Sequence, residues 1–331
     1  MSIIEKALGQ QKEQQAAPQS AEGQHTVERA GSDAMESTAA ATHKSMRARM
    51  DDTRPAESRS ARPRIEIPFD LLHHQGFLTP ATPRSAIAEE FRTIKRPLLK
   101  NIAGQAPTPI ANANLVMVTS ALQGDGKTFS SLNLAMSIAM EQDKTVLFVD
   151  ADVLKATAGG WLGVAPDTPG LIDILKDENV RPQDVILHTN MDKLRVLPAG
   201  TADEHATELL ASANMHELML ELSERYHDRV IVFDSPPLLL TTEAGVLASF
   251  MGQIVFVASA DITPQHAVEE ALEHIGEDKM VGWCSIVPRG GGCACSARAM
   301  ATAMATAMAT PMASGRGPSR WLPRETSSVH F

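Results

Sequence analysis

The chain contains one tyrosine, three cysteines and no apolar run approaching the roughly 18 residues that a bilayer-spanning helix requires. The missing span predicts no membrane-crossing segment, and the opening MSIIEKALGQ lacks the charged-then-apolar order of a secretion signal. A cytoplasmic location is expected, with any membrane contact made through a partner. Cys284, Cys293 and Cys295 all fall late in the sequence, so the body is cysteine-free, as suits a reducing compartment. Cys293 and Cys295 have no nearby pair of His or Cys to complete a four-ligand metal site. Basic charge is not in excess either. A formal net charge of -10 argues against nucleic-acid binding as the main function, since that needs a net basic face. Large apolar side chains are scarce over residues 10–64, where Gln, Ala, Ser, Glu, Arg and Pro dominate. Such a segment cannot offset its own ordering entropy and reads as a disordered linker. Ahead of it, residues 1–9 read as a short amphipathic helix carrying Ile3, Ile4 and Leu8 on one side.

Past the linker the pattern becomes that of a folded domain. In SAIAEEFRTIKRPLLKNI, Ile87, Phe91 and Ile94 recur at helical spacing, and the neighbouring His73 and His74 read as packing or surface residues. NLVMVTS, TVLFVDAD, RVIVFDSPP and GQIVFVASA are short β-branched runs, and KTFSSLNLAMSIAMEQ between the first two is a helix. Continuous apolar strands alternating with helices predict an α/β fold, a mostly parallel sheet with helices on both faces. Sites in such folds lie at the carboxyl ends of the strands.

The strongest chemical signal is ALQGDGKT between the first strand and its helix. Gln123, Gly124, Asp125, Gly126, Lys127, Thr128 and Phe129 form the predicted nucleotide-binding loop. Glycines let backbone N–H groups approach an anion, Lys127 supplies charge for the outer phosphates, and Thr128 is a Mg²⁺ ligand. Ala121 stands where the usual motif has its first glycine. Asp150 and Asp152 end one strand and Asp234 another, so three carboxylates are expected beside a Mg-nucleotide.

At these residues the sequence resembles the bacterial tyrosine kinase family, most closely the autokinases encoded with exopolysaccharide synthesis and export systems. EEFRTIKR, LQGDGKT, LFVDAD, GLIDIL, LPAG, ELLAS and VIVFDSPP carry the resemblance in order, over residues 65–282, and MSIIEKAL resembles the subgroup's start. The resemblance implies a P-loop NTPase-type kinase domain that uses ATP and Mg²⁺. In it Lys127 and Thr128 bind the nucleotide, Asp150 and Asp234 support the metal, and Asp152 positions or deprotonates the attacking tyrosine. The division of roles between Asp150 and Asp152 stays open. Glu89, Arg92 and Lys95 match the family's Glu-x-x-Arg-x-x-Arg/Lys helix, which implies contacts between subunits of a ring. On a helix Glu89 and Arg92 equally suit an internal ion pair. The resemblance also implies a membrane-spanning activator as partner. Two other functions compete with the kinase: a partitioning or positioning ATPase of the deviant P-loop type, and a catalytically silent interaction module. The former carries an early lysine where this chain has Leu122.

The tail departs from the family. Its autokinases phosphorylate a C-terminal cluster of tyrosines, often in Gly-Tyr repeats, whereas Tyr226 is the one tyrosine here and residues 299–310 read AMATAMATAMAT. Ala-Met-Ala-Thr is GCN-ATG-GCN-ACN, and one base earlier it reads NGC-NAT-GGC-NAC. Each Met-Ala junction then forces glycine, and NAT and NAC permit tyrosine. WCSIVP, shifted in the same way, permits Met-Val-Leu-Asn-Arg-Ala, similar to the family's last core strand. Beyond Gly282 there is no Lys or Asp, one Glu and five Arg. Residues 283–331 are therefore expected to be an out-of-frame, disordered tail, and self-phosphorylation there to be defective.

Overall fold

The computed structural model describes residues 63–225, 228–276, 279–288 and 295–300. The expected helix over residues 1–9, nearly all of the linker, Tyr226 and the AMAT repeat beyond Met300 lie outside the described residues.

After α1 (Phe69–His74) and α2 (Ala86–Ile102) the chain enters β1 (Leu115–Ser120), α3 (Lys127–Ala139) and β2 (Thr145–Asp150). Three short helices follow, α4 (Ala158–Leu162), α5 (Leu171–Lys176) and α6 (Pro182–Val185), then β3 (Leu187–His188) and β4 (Leu194–Leu197). The remainder is α7 (Ala206–Leu210), α8 (Ala213–Arg225), β5 (Arg229–Asp234), α9 (Thr242–Phe250), β6 (Gln253–Ser259), α10 (Gln265–Glu273), β7 (Met280–Pro288) and β8 (Cys295–Met300). The strands form one sheet in the order β3-β4-β2-β5-β1-β6-β7-β8. Pairing is parallel from β4 to β7, and antiparallel for β3 on β4 and β8 on β7.

The alternation of a strand explains the layers. On β1, β2, β5 and β6, Leu115, Met117, Leu147, Val149, Ile231, Phe233, Ile254 and Phe256 belong to one core. The residues between them, Val116, Val118, Val146, Phe148, Val230, Val232, Val255 and Val257, belong to the other. Such strands are buried on both sides, which is why they read as unbroken apolar runs. The first core takes Leu171 and Leu175 of α5, Met215, Leu218 and Leu222 of α8, and Ala267 and Ala271 of α10. The second takes Phe91, Ile94 and Leu98 of α2 with Leu132, Met136 and Ile138 of α3. The predicted α/β architecture with helices on both faces is the one observed.

Two boundaries differ from expectation. The strand β7 runs through Gly282 to Pro288, paired with β6 from Gln253↔Met280 to Ser259↔Ile286, with Cys284 and Ile286 buried. Residues 295–300 are likewise strand, although CSARAM has no β-branched residue. At the other end, Arg64 bridges His188, with Ile65 N–H on the His188 carbonyl at 2.8 Å and His188 N–H on the Pro63 carbonyl at 2.9 Å. Residues 63–65 thus run along the outer edge of β3.

Candidate nucleotide site

The loop leaving β1 turns through two left-handed residues, Gly124 at φ 88° and Gly126 at φ 94°, before α3 begins at Lys127. That region disfavours any side chain with a Cβ, so both glycines are required by the turn. A Cβ on Gly126 would also collide with the Ile286 side chain. Gly126 caps α3 without a side-chain hydrogen bond, leaving the first N–H groups of the helix available to an anion. Gln123 and Gly124 are exposed, whereas Asp125 and Lys127 are buried. Phe129 turns its ring into the second core, with centroids 4.8 Å from Phe77 and 6.5 Å from Phe91, which leaves its backbone N–H as the group it offers at the helix start.

The strands bring the acidic residues alongside. Asp150 and Asp234 are register partners at the ends of neighbouring β2 and β5, each 1% exposed. Asp150 Oδ2 accepts from Gly159 N–H at 3.4 Å. Asp150 Oδ1 and both Asp234 oxygens have no hydrogen-bond partner among the described residues. Thr128 and Ser131 hydroxyls lie beside Asp234, but the first is 3.4 Å from Thr157 Oγ1 and the second donates to the Thr128 carbonyl. Burying a carboxylate without partners is costly, so the groups respond by holding protons. Burial, with Asp234 next to it, raises the Asp150 carboxyl well above the usual range. Burial pushes Asp234 up to about 7, against the pull of Thr128 and Lys127. Asp152 is also raised by burial, opposed by Lys127 and Lys155. The Lys127 ammonium is lowered by burial, opposed by Asp152, Asp234 and Asp125.

Unpaired buried carboxylate oxygens opposite a lysine and a helix N-terminus fit a Mg-nucleotide. Among the described residues no three His, Cys, Asp or Glu side chains form a cage able to hold an ion alone. Mg²⁺ does not need one, since it is bound through one or two carboxylates together with phosphates and water.

The three residues of the expected ring motif separate. Glu89 and Arg92 pair with each other on the surface of α2. Lys95 is buried, donating to the Ser137 carbonyl at 2.6 Å and pairing with Glu141. Four residues that sequence reasoning missed also border the loop: Lys155 beside Asp152, Thr157 beside Thr128, Thr263 on Asp125, and Ile286 against Gly126. Lys155, three residues past Asp152, could have been found by its nearness in sequence. Thr263 and Ile286 have no local signal.

A family model described as AAA domain matches residues 114–273. Tyrosine-protein kinase CpsD of Streptococcus agalactiae is 32% identical over 161 residues, 49% of this chain and 69% of the relative. Tyrosine-protein kinase YwqD of Bacillus subtilis is 31% identical over 202 residues, 60% of this chain and 81% of the relative. Among solved structures, the chimerical protein CapA2B2 is similar at TM-score 0.53 and 26% identity, over 66% of this chain and 91% of that one. The kinase domain of Escherichia coli tyrosine kinase ETK is similar at TM-score 0.52 and 25% identity, over 61% and 77%.

Proposed function

Because the chain belongs to the bacterial tyrosine-protein kinase family, we propose that it transfers the γ-phosphoryl group of ATP to tyrosine hydroxyls, in control of exopolysaccharide or capsule synthesis and export. The observation that carries this is the set of buried, partnerless oxygens on the register pair Asp150 and Asp234, with Lys127 beside Asp234. The backbone N–H groups from Gln123 to Phe129 would cradle the phosphates, and Lys127 would neutralise the outer ones. Thr128, Asp150 and Asp234 would hold Mg²⁺, which when bound supplies charge to the β- and γ-phosphates. Asp152 lies two residues past the end of β2 and is 8% exposed. Its role is to orient the acceptor phenol and take its proton, which a group with pKa near 10 does not release unaided at neutral pH.

Glu89 and Arg92 are suited to subunit contacts in a ring, and the partner is a membrane-spanning activator that brings a cytoplasmic kinase to the inner membrane. Among the described residues no helix is long and apolar enough to cross a membrane. Residues 65–282 are the family's kinase domain, and residues 283–331 are an out-of-frame version of its ending. With Tyr226 the one tyrosine, self-phosphorylation of the tail is lost while transfer to a separate acceptor is kept.

The test incubates the full chain with Mg-ATP and a tyrosine-rich peptide and follows phosphotyrosine. Peptide labelling that Lys127→Met abolishes, with little self-labelling, is expected. Strong labelling of Tyr226 would refute the tail argument, and labelling that survives Lys127→Met would refute the site.

A further inference from the structure

Asp125 has a neighbourhood that nucleotide chemistry leaves unexplained. It stands between two glycines in a loop whose other tip residues face solvent, yet it is 3% exposed. Its carboxylate is shared between two tasks. Oδ2 accepts from Leu122 N–H at 2.9 Å and closes the loop on itself. Oδ1 accepts from the Thr263 hydroxyl at 2.7 Å, a contact between residues 138 apart in sequence. The Thr263 hydroxyl also accepts from Ser259 N–H at 2.8 Å. The N–H can only donate and the carboxylate can only accept, so the one proton of the hydroxyl is directed at Asp125. Ser259 is the last residue of β6, and the donor is therefore anchored to the sheet.

The same corner grips the next residue. Ala260 N–H donates to the Ile286 carbonyl at 2.7 Å, tying the loop after β6 to β7, and the Ile286 side chain lies against Gly126. A loop with two left-handed glycines has many conformations open to it, and the one that points its N–H groups inward must be selected.

We propose that Thr263 is a positioning residue for nucleotide binding: by holding Asp125 it sets the phosphate loop in its receiving shape before the nucleotide arrives. The role rests on the nucleotide site proposed above. Thr263 acts on the loop through Asp125.

Thr263→Val keeps the shape of the side chain and removes the hydroxyl, and Thr263→Ser restores it. Titrating Mg-ATP into the full chain by calorimetry, Thr263→Val is expected to weaken binding by about tenfold, as loss of a hydrogen bond to a charged group implies, and Thr263→Ser to recover it. Hydrogen exchange on the nucleotide-free chain is expected to show faster exchange over residues 121–128 in Thr263→Val and at Ser259, which loses its acceptor, with β1 and the rest of β6 unchanged. Unaltered affinity in Thr263→Val, or a loss that Ser fails to restore, overturns the positioning role. Faster loop exchange in Thr263→Val without Mg-ATP binding by the unsubstituted chain overturns the nucleotide site, leaving the hydrogen bond a structural one.

Discussion

A carboxyl raised to about 7, as burial raises that of Asp234, changes charge within the ordinary working range of pH. In the unfolded chain the same group titrates near 3.9. Between those values the folded state holds a proton that the unfolded state has lost, so stability falls as pH rises from about 4 to about 7. Asp150 is shifted in the same direction. A cation that takes the proton's place binds more tightly as pH rises. Mg-ATP affinity of the full chain should therefore increase from about pH 6 to about pH 8, and the melting temperature of the nucleotide-free chain should decline from about pH 4 to about pH 7. Asp234→Asn should flatten both trends, and a flat affinity profile in the unsubstituted chain would remove Asp234 from the cation's surroundings. Lys127, Thr128 and the aspartates were legible in the sequence because loop, helix start and strand ends each carry a local pattern. Thr263 was not, since a threonine matters here only through a partner 138 residues away.

Among the elements, α2 separates residues that one motif groups together. Its N-cap is Ser85, whose hydroxyl accepts from Ala88 N–H at 3.4 Å, and its apolar stripe faces the second core, as its spacing predicts. Lys95 lies on the buried side, where its ammonium meets the last turn of α3 at the Ser137 carbonyl. A cation there complements the helix C-terminus and satisfies one of its orphan carbonyls. Lys95→Ala should lower stability by about 1–3 kcal/mol, read from denaturant unfolding, as loss of a charged hydrogen bond implies. Glu89→Ala and Arg92→Ala should change stability by no more than about 0.5 kcal/mol, while lowering the mass seen by light scattering. An unchanged mass would count against the subunit contact. The burial of Lys95 was invisible in the sequence, because a lysine at a helical position is ordinarily a surface residue. The strands β3 and β4 were illegible for another reason. Leu187–His188 is too short to show alternation, and LRVL includes an arginine.

Across the whole molecule, the sheet does not end where the family resemblance does. Cys284 and Ile286 pack into the second core from β7, so a chain stopped after Gly282 would lose two buried side chains and half of a ladder on β6. At roughly 1.5–3 kcal/mol for a large apolar side chain, that loss is a sizeable fraction of the stability of a typical domain. Such a chain should melt at a clearly lower temperature in circular dichroism than one stopped after Met300. Equal melting would mean that the second half of β7 adds nothing to stability. The opposite margin of the sheet behaves differently. Residues 63–65 occupy hydrogen-bonding groups of His188 on β3 that would otherwise be open to another chain. An uncovered edge strand is a template for intermolecular pairing. The stretch that joins the N-terminal region to the domain thus doubles as a guard against aggregation. Proteolysis just downstream of it would leave the nucleotide loop untouched and still yield a stickier protein.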